Sequence, residues 1–328
     1  MVHMKNNNKS KIYDILCVGA CVQDILIEGM NKESFAEPVT VLKKVTFTSG
    51  GDATNEAIIL SRLGNSTALA AKIDKGAAGN SIYAELQKED VDTSYMVQDK
   101  NSQSTSTFVV IGKDGKHNFF LAKGKNEGIA LDDINVSILQ KTRAVCIGSL
   151  YTSYRLDRGG AANLMSLAQK SGVITFADMD HDVEGLGPNA MDTVYPYVDY
   201  LMPSIEEARY VTGESTPEKS AEVLRSKGAK TVVLKLGSEG CFVQNEREAF
   251  YVDPYIVTPK DTTGCGDNFV AGFIHSILEE KTLLESAKFA CAAGALNSLE
   301  IGGHTVIRSR QQVVEFMKHT VQNHIIRK

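Results

Sequence analysis

The sequence predicts an α/β fold, with a mostly parallel central sheet covered by helices on both faces and a small β-sheet standing off it as a lid. Two observations carry the body of this expectation. Short β-branched runs alternate with longer helical patterns along most of the 328 residues, and that alternation implies parallel strands joined by helical crossovers. Several helical patterns end in a glycine, Gly64, Gly172 or Gly213, where a helix C-terminus favours a residue able to take positive φ. The lid rests on a third. Two stretches, about 22–48 and 104–123, break the rhythm and read as β-rich without a helical period.

Taken in order, IYDILCVGA (12–20) is the first buried strand, and 22–48 is the first lid segment. NEAIILSRLG (55–64) is a helix, STALAAKI (66–73) a strand and NSIYAELQKE (80–89) a helix. STFVVIGKDGKHNFFLA (106–122) is two β-rich runs around Asp114-Gly115, a hairpin signal, and with the first segment it would form a small antiparallel sheet. RAVCIGS (143–149), VITFAD (173–178), VDYLMPS (198–204) and KTVVLKLG (230–237) read as further buried strands. Helices are expected at GGAANLMSLAQKSG (159–172) and SIEEARYVTG (204–213).

Composition is that of an ordinary globular protein, 43% hydrophobic and 23% charged. No apolar stretch approaches the roughly 18 residues that a membrane span needs, and MVHMKNNNKSK lacks the apolar segment of a signal peptide. The expectation is a cytoplasmic protein with a disordered tail at 1–10 and one domain at 11–328. A net charge of −5 gives no general attraction for nucleic acid or an anionic membrane. The six cysteines are scattered, with no CxxC pair, and read as reduced, buried thiols.

The stretch that carries chemistry is DTTGCGDNFVAGF at 261–273. Val270, Phe273, Ile274, Ile277 and Leu278 fall on one helical face, so the turn before them is a helix N-terminus. Free backbone amides and the positive end of the helix dipole make such a turn an anion site, and Gly264 and Gly266 let an anion come close. Asp267 would be a first-turn carboxylate favoured by the dipole, or a base beside the anion that takes a hydroxyl proton as its oxygen attacks phosphorus. A Walker-type loop and a dinucleotide-binding fingerprint are both excluded: GKDGKHN lacks the hydroxyl and spacing of the first, and GCGDNF has Phe269 where the second needs glycine.

These residues resemble the ribokinase/pfkB-type carbohydrate kinases over essentially the whole chain after the tail. DTTGCGD differs from that family's D-T-T-G-A-G-D signature only at Cys265, and GGDATNEA (50–57) is similar to its N-terminal Gly-Gly and Asn motif. The resemblance implies a ribokinase-like three-layer α/β/α sandwich and ATP-dependent phosphorylation of a small sugar. It implies Asp267 as catalytic base and the backbone of Gly264, Cys265 and Gly266 as anion hole. Asp261 and Thr263 match positions that can help to hold a monovalent cation, potassium being the candidate.

Sugar contacts implied by the same resemblance are Asp24, Gly51, Asp52, Asn55 and Asn126, although Asp24 alone reads equally as a loop acid and Asn55 as a helix cap. On the nucleotide side, KLGSEG (235–240) resembles the strand-end loop that meets ATP, which implicates Lys235, Gly237 and Gly240. The small-residue helix CAAGALNSL (291–299) resembles the adenine wall, with Asn297 a contact, or is simply a close-packed helix. Ser204 stands where the family often has Asn, and Glu207, three residues on, would hold Mg²⁺ through water. DMDHD (178–182) lacks the Arg that many relatives carry; read alone, it is a metal cluster or a set of solvated acids. A nucleoside acceptor and a catalytically inactive sugar-binding sensor are the competing functions. The exposed edge of the lid could pair with a second copy.

Overall fold

The computed structural model describes residues 11–112 and 117–322. The expected tail at 1–10 and the Asp114-Gly115 turn lie outside them. β1 (Tyr13–Gly19) sends Ile15 and Cys17 to one core and Leu16 and Val18 to the other. Period two with both faces apolar is what a strand between two helical layers requires. The chain then leaves the body as β2 (Val22–Met30) and β3 (Lys44–Gly50) and returns into α1 (Asp52–Arg62), buried from Ala53 to Leu60.

The run expected as one strand at 66–73 is two. β4 (Thr67–Ala70) joins the main sheet, whereas β5 (Lys72–Asp74) turns away to pair with β6 (Val97–Asp99) beyond α2 (Ala77–Lys88). Lys72 at the break reaches the carboxylates of Asp99 and Asp133 at 3.4 and 3.8 Å, partners that the buried sheet does not offer. Next come β7 (Ser106–Gly112) and β8 (His117–Ala122).

The second half alternates regularly: β9 (Thr142–Leu150), α3 (Ala161–Lys170), β10 (Ile174–Met179), β11 (Tyr200–Leu201), α4 (Ile205–Thr212), α5 (Pro217–Ser226) and β12 (Thr231–Lys235). β11 is shorter than the run expected at 198–204 because Pro203 has no N–H to continue the ladder. β13 (Cys241–Gln244) and β14 (Ala249–Val252) complete the sheet, and α6 (Cys265–Leu278), α7 (Leu283–Asn297) and α8 (Arg310–His319) close the chain.

The main sheet has the order β14-β13-β12-β11-β10-β9-β1-β4, parallel from β4 to β12 with two antiparallel strands at the far edge. α1, α6 and α7 pack on one face and α3, α4 and α5 on the other, giving three layers. The lid is a separate sheet, β3-β2-β7-β8. It is mixed, not wholly antiparallel as expected: β2 and β7 both leave the body in the same sense and pair in parallel at its centre. Leu26, Val109 and Ile111 form its buried side, packed with Ile301, while Phe47, Ile25, Phe108 and Phe120 share one rung of the opposite face. Among the described residues no helix is long and apolar enough to cross a membrane. All six cysteines are free and five are buried.

Candidate active site

The start of α6 is built from a left-handed turn. Gly264 caps the helix with φ 70°, and a Cβ there would overlap the backbone of Gly303. Only glycine satisfies both conditions. Cys265 N–H already donates to Thr262 O at 3.2 Å, whereas among the described residues no acceptor engages the N–H groups of Gly264, Gly266 or Asp267. The available amides are thus shifted by one residue from the expected 264–266 set: Asp267 joins it, and Cys265 would have to give up a long turn bond. A Cβ on Gly266 would stand 3.5 Å from the Lys235 ammonium, so amides and cation converge on one small volume.

Asp267 is buried in the first turn, and its Oδ2 accepts a hydrogen bond from Asn55 Nδ2 at 2.6 Å. Burial pushes its carboxyl up to about 6, against the Asn55 bond. It makes no ion pair among the described residues and opens onto a cavity of about 880 Å³. Asn55 therefore meets Asp267 directly and is not a helix cap: the cap of α1 is Gly51. Asp24 folds over Gly50, where a Cβ would strike its carboxylate, and burial pushes it up to about 7. Asp52 donates its position to the cleft and accepts from Ser149 Oγ at 2.5 Å; burial and the Asp267 charge raise it well above the usual carboxylate range.

Ser204, Glu207, Lys235, Gly237 and Gly240 line the same cavity, together with Pro254, Tyr255, Ile256 and Val257 from the loop after β14. Ser204 and Glu207 form a reciprocal capping box at the start of α4, with Glu207 Oε2 on Ser204 N–H at 2.6 Å. DMDHD divides by role. Asp178 is buried in an ion pair with Lys235 at 2.5 Å. Burial works against the Lys235 ammonium, but Asp178 and Glu207 outweigh it and hold the group charged. Asp180 and His181 approach Glu207, with ligand atoms all within 4.8 Å of one another. Asp182 is a loop brace, accepting from Leu186 N, Gly187 N and Tyr210 Oη.

Two expected contacts lie elsewhere. Asn297 is fully buried and its amide donates to Thr263 O at 2.9 Å and Gly302 O at 3.3 Å, so it braces the turn; Cys291, Gly294, Ala295 and Ser298 form the cleft wall instead. Asn126 spends its amide on braces, donating to Lys72 O on β5 and accepting from Gly128 N in its own loop. Asp261 is buried, its two oxygens accepting from Thr263 N and Gly302 N at 2.7 Å each. Sequence reasoning missed Glu85 and His304, which stand behind Asn55. Neither belongs to a local pattern, and only folding brings them together.

A family model described as pfkB family carbohydrate kinase matches residues 13–309. Among curated proteins, ribokinase of Haemophilus influenzae is 26% identical over 275 residues, spanning 82% of this chain and 87% of its own. Probable fructokinase-2 of Arabidopsis thaliana is 25% identical over 289 residues, spanning 83% and 88%. Among solved structures, a ribokinase II candidate from E. coli in complex with ATP and Mg²⁺ superposes with a TM-score of 0.82 at 19% identity, covering 94% of this chain and 99% of that one. The likeness to that structure carries the fold.

Proposed function

Since the chain belongs to the pfkB family of carbohydrate kinases, we propose that it transfers the γ-phosphate of ATP to a hydroxyl of a small sugar, with Asp267 as general base. One observation carries the reading: a carboxylate without an ion pair lies beside unengaged amides at a helix mouth, on the wall of a large cavity. A charged base beside an anion hole serves phosphoryl transfer if it faces the acceptor hydroxyl and not the phosphate, and Asn55 holds it from the sugar-motif side.

In this mechanism Asp267 takes the acceptor proton as its oxygen bonds to the γ-phosphorus, and the bond from phosphorus to the β,γ-bridging oxygen breaks. The Gly264, Gly266 and Asp267 amides receive the equatorial oxygens, and Lys235 supplies the nearest fixed positive charge. Asp24 and Asp52 bind acceptor hydroxyls. Asp180 and Glu207 offer oxygen ligands and would hold Mg²⁺ with part of its water shell, where it would supply charge neutralisation to the ATP phosphates. Asp261 and Thr263 are the proposed potassium holders. The lid, hinged at Gly50–Gly51, closes over the sugar and keeps water from the phosphoryl group. Its outer aromatic face is the proposed contact with a second copy.

The test is a coupled ADP assay over pentoses, hexoses, keto-deoxy acids and nucleosides. Acceptor-dependent ADP should appear for a sugar, and Asp267→Asn should lower kcat by at least about a thousandfold while sparing ATP binding. Appreciable turnover by the variant removes Asp267 as base. Binding without acceptor-dependent ADP supports an inactive sensor. A nucleoside acceptor is the second reading, favoured by the apolar inner side of the lid, Leu26, Val109 and Ile111.

A further inference from the structure

The partner of the base is itself held. Asn55 Nδ2 donates to Asp267, which leaves Asn55 Oδ1, 2.8 Å from His304 Nδ1, as an acceptor. His304 is 3% exposed, and its other nitrogen, Nε2, lies 3.3 Å from Glu85 Oε1. Glu85, on α2, takes the Ser49 N–H at 2.7 Å and the Thr48 hydroxyl at 3.0 Å, and both of those residues belong to lid strand β3. Burial works against the charge of Glu85, but the His304 and Ser49 hydrogen bonds hold its carboxyl below the usual range.

Both ring nitrogens thus face acceptors, and both contacts are attractive when each carries hydrogen. The backbone that carries the ring is anchored: Arg62 Nη1 donates to the His304 carbonyl, and the Arg62 guanidinium is paired with Glu89 at 2.6 Å. Gly303, next in the chain, sits against the Asn55 amide and accepts from Asn268 at 2.7 Å, which wedges the loop between α1 and α6.

We propose that His304 is a positioning residue for phosphoryl transfer: through Asn55 it fixes the Asp267 carboxylate, and through Glu85 it ties that carboxylate to lid strand β3. An amide can turn over by half a rotation, and the turned amide would present its oxygen to Asp267. The His304 N–H selects the attractive orientation, since the alternative leaves two buried donors facing each other and two buried acceptors likewise. The inference rests on Asp267 being the base.

The test uses the full chain with His304→Ala, His304→Gln and Glu85→Gln, each also in an Asn55→Ala background. His304→Ala should lower kcat about ten- to hundredfold with the KM for ATP unchanged, the usual size of a positioning effect. His304→Gln, which keeps a donor toward Asn55, should recover part of the loss. In the Asn55→Ala background the His304 substitution should cost less than about twofold more, because its effect passes through that amide. Amide-proton exchange at the Asn55 side chain, read by NMR without any acceptor, should quicken in His304→Ala. Parent-like kcat and exchange in His304→Ala and Glu85→Gln overturn the proposal, as does a His304 loss undiminished in the Asn55→Ala background. If Asp267→Asn stays active, the base assignment fails first; if it is dead while the His304 variants are unaffected, only this inference fails.

Discussion

Glu56 is fully buried on α1, and neither carboxylate oxygen finds a partner among the described residues. Burial first, then the charges of Asp178 and Asp267, raise its pKa well above the usual range, which favours its neutral form in the folded chain. Between the ordinary value of about 4.3 and the folded pKa, unfolding releases that proton. Stability from this group is therefore greatest in acid and is lost as pH rises toward the folded pKa. Glu56→Gln removes the titration and keeps the shape. Thermal unfolding should show the variant more stable than the parent, by at least about 1 kcal/mol at pH 8 and by less at pH 5. Equal shifts at both pH values would mean that the acid is not held protonated. Asp267 stands nearby under the same burial, yet keeps one hydrogen bond and a face on the cleft, and that difference separates the proposed base from a carboxyl shut inside the core.

At the scale of the element, α6 depends on how it begins. Gly264 holds a left-handed backbone with Gly303 against its α-carbon, and its carbonyl accepts both Asn268 N–H at 2.9 Å and Asn268 Nδ2 at 2.7 Å. Gly264→Ala adds a positive-φ penalty to a backbone overlap, and should destabilise by about 2 kcal/mol or more and disable turnover. Chemical denaturation and the ADP assay check this, and a variant of parental stability would show that the turn relaxes freely. The turn was legible in the sequence because its glycines, its acid and the apolar period after it are contiguous. The parallel strands of the main sheet were legible for the same reason, as apolar runs. β13, β14 and α8 were not, since short amphipathic pieces carry little local signal, although Thr216-Pro217 is a readable start for α5, with Thr216 as cap. Asn297 was misplaced because a small-residue helix looks alike whether it faces a ligand or a neighbouring turn, and its amide faces the turn. Glu85 and His304 sit on segments that only the packing of α2 and the 302–304 loop against α1 brings together.

At the scale of the molecule, the lid is a thin sheet with both faces apolar. Its inner face has the body to cover it, whereas Phe47, Phe108 and Phe120 on the outer face are 62%, 37% and 50% exposed. A contiguous aromatic rung of this kind is uncommon on a solitary chain. We expect a dimer through this face in light scattering, and Phe47→Ser with Phe108→Ser should shift it to monomer while leaving the unfolding temperature of the body nearly unchanged. A parent that runs as a monomer across micromolar concentrations would sink the contact.

The cleft is lopsided in its titratable groups, with Asp52, Asp178, Asp180, Glu206, Glu207 and Asp267 along its walls and, among the described residues, Lys235 as its one lysine or arginine. A bare polyphosphate would meet repulsion from those acids that are ionised, whereas one paired with a divalent counter-ion would meet less. On the proposed reading, that lining favours a cosubstrate that reaches the pocket with its phosphates already neutralised in part over one that arrives bare.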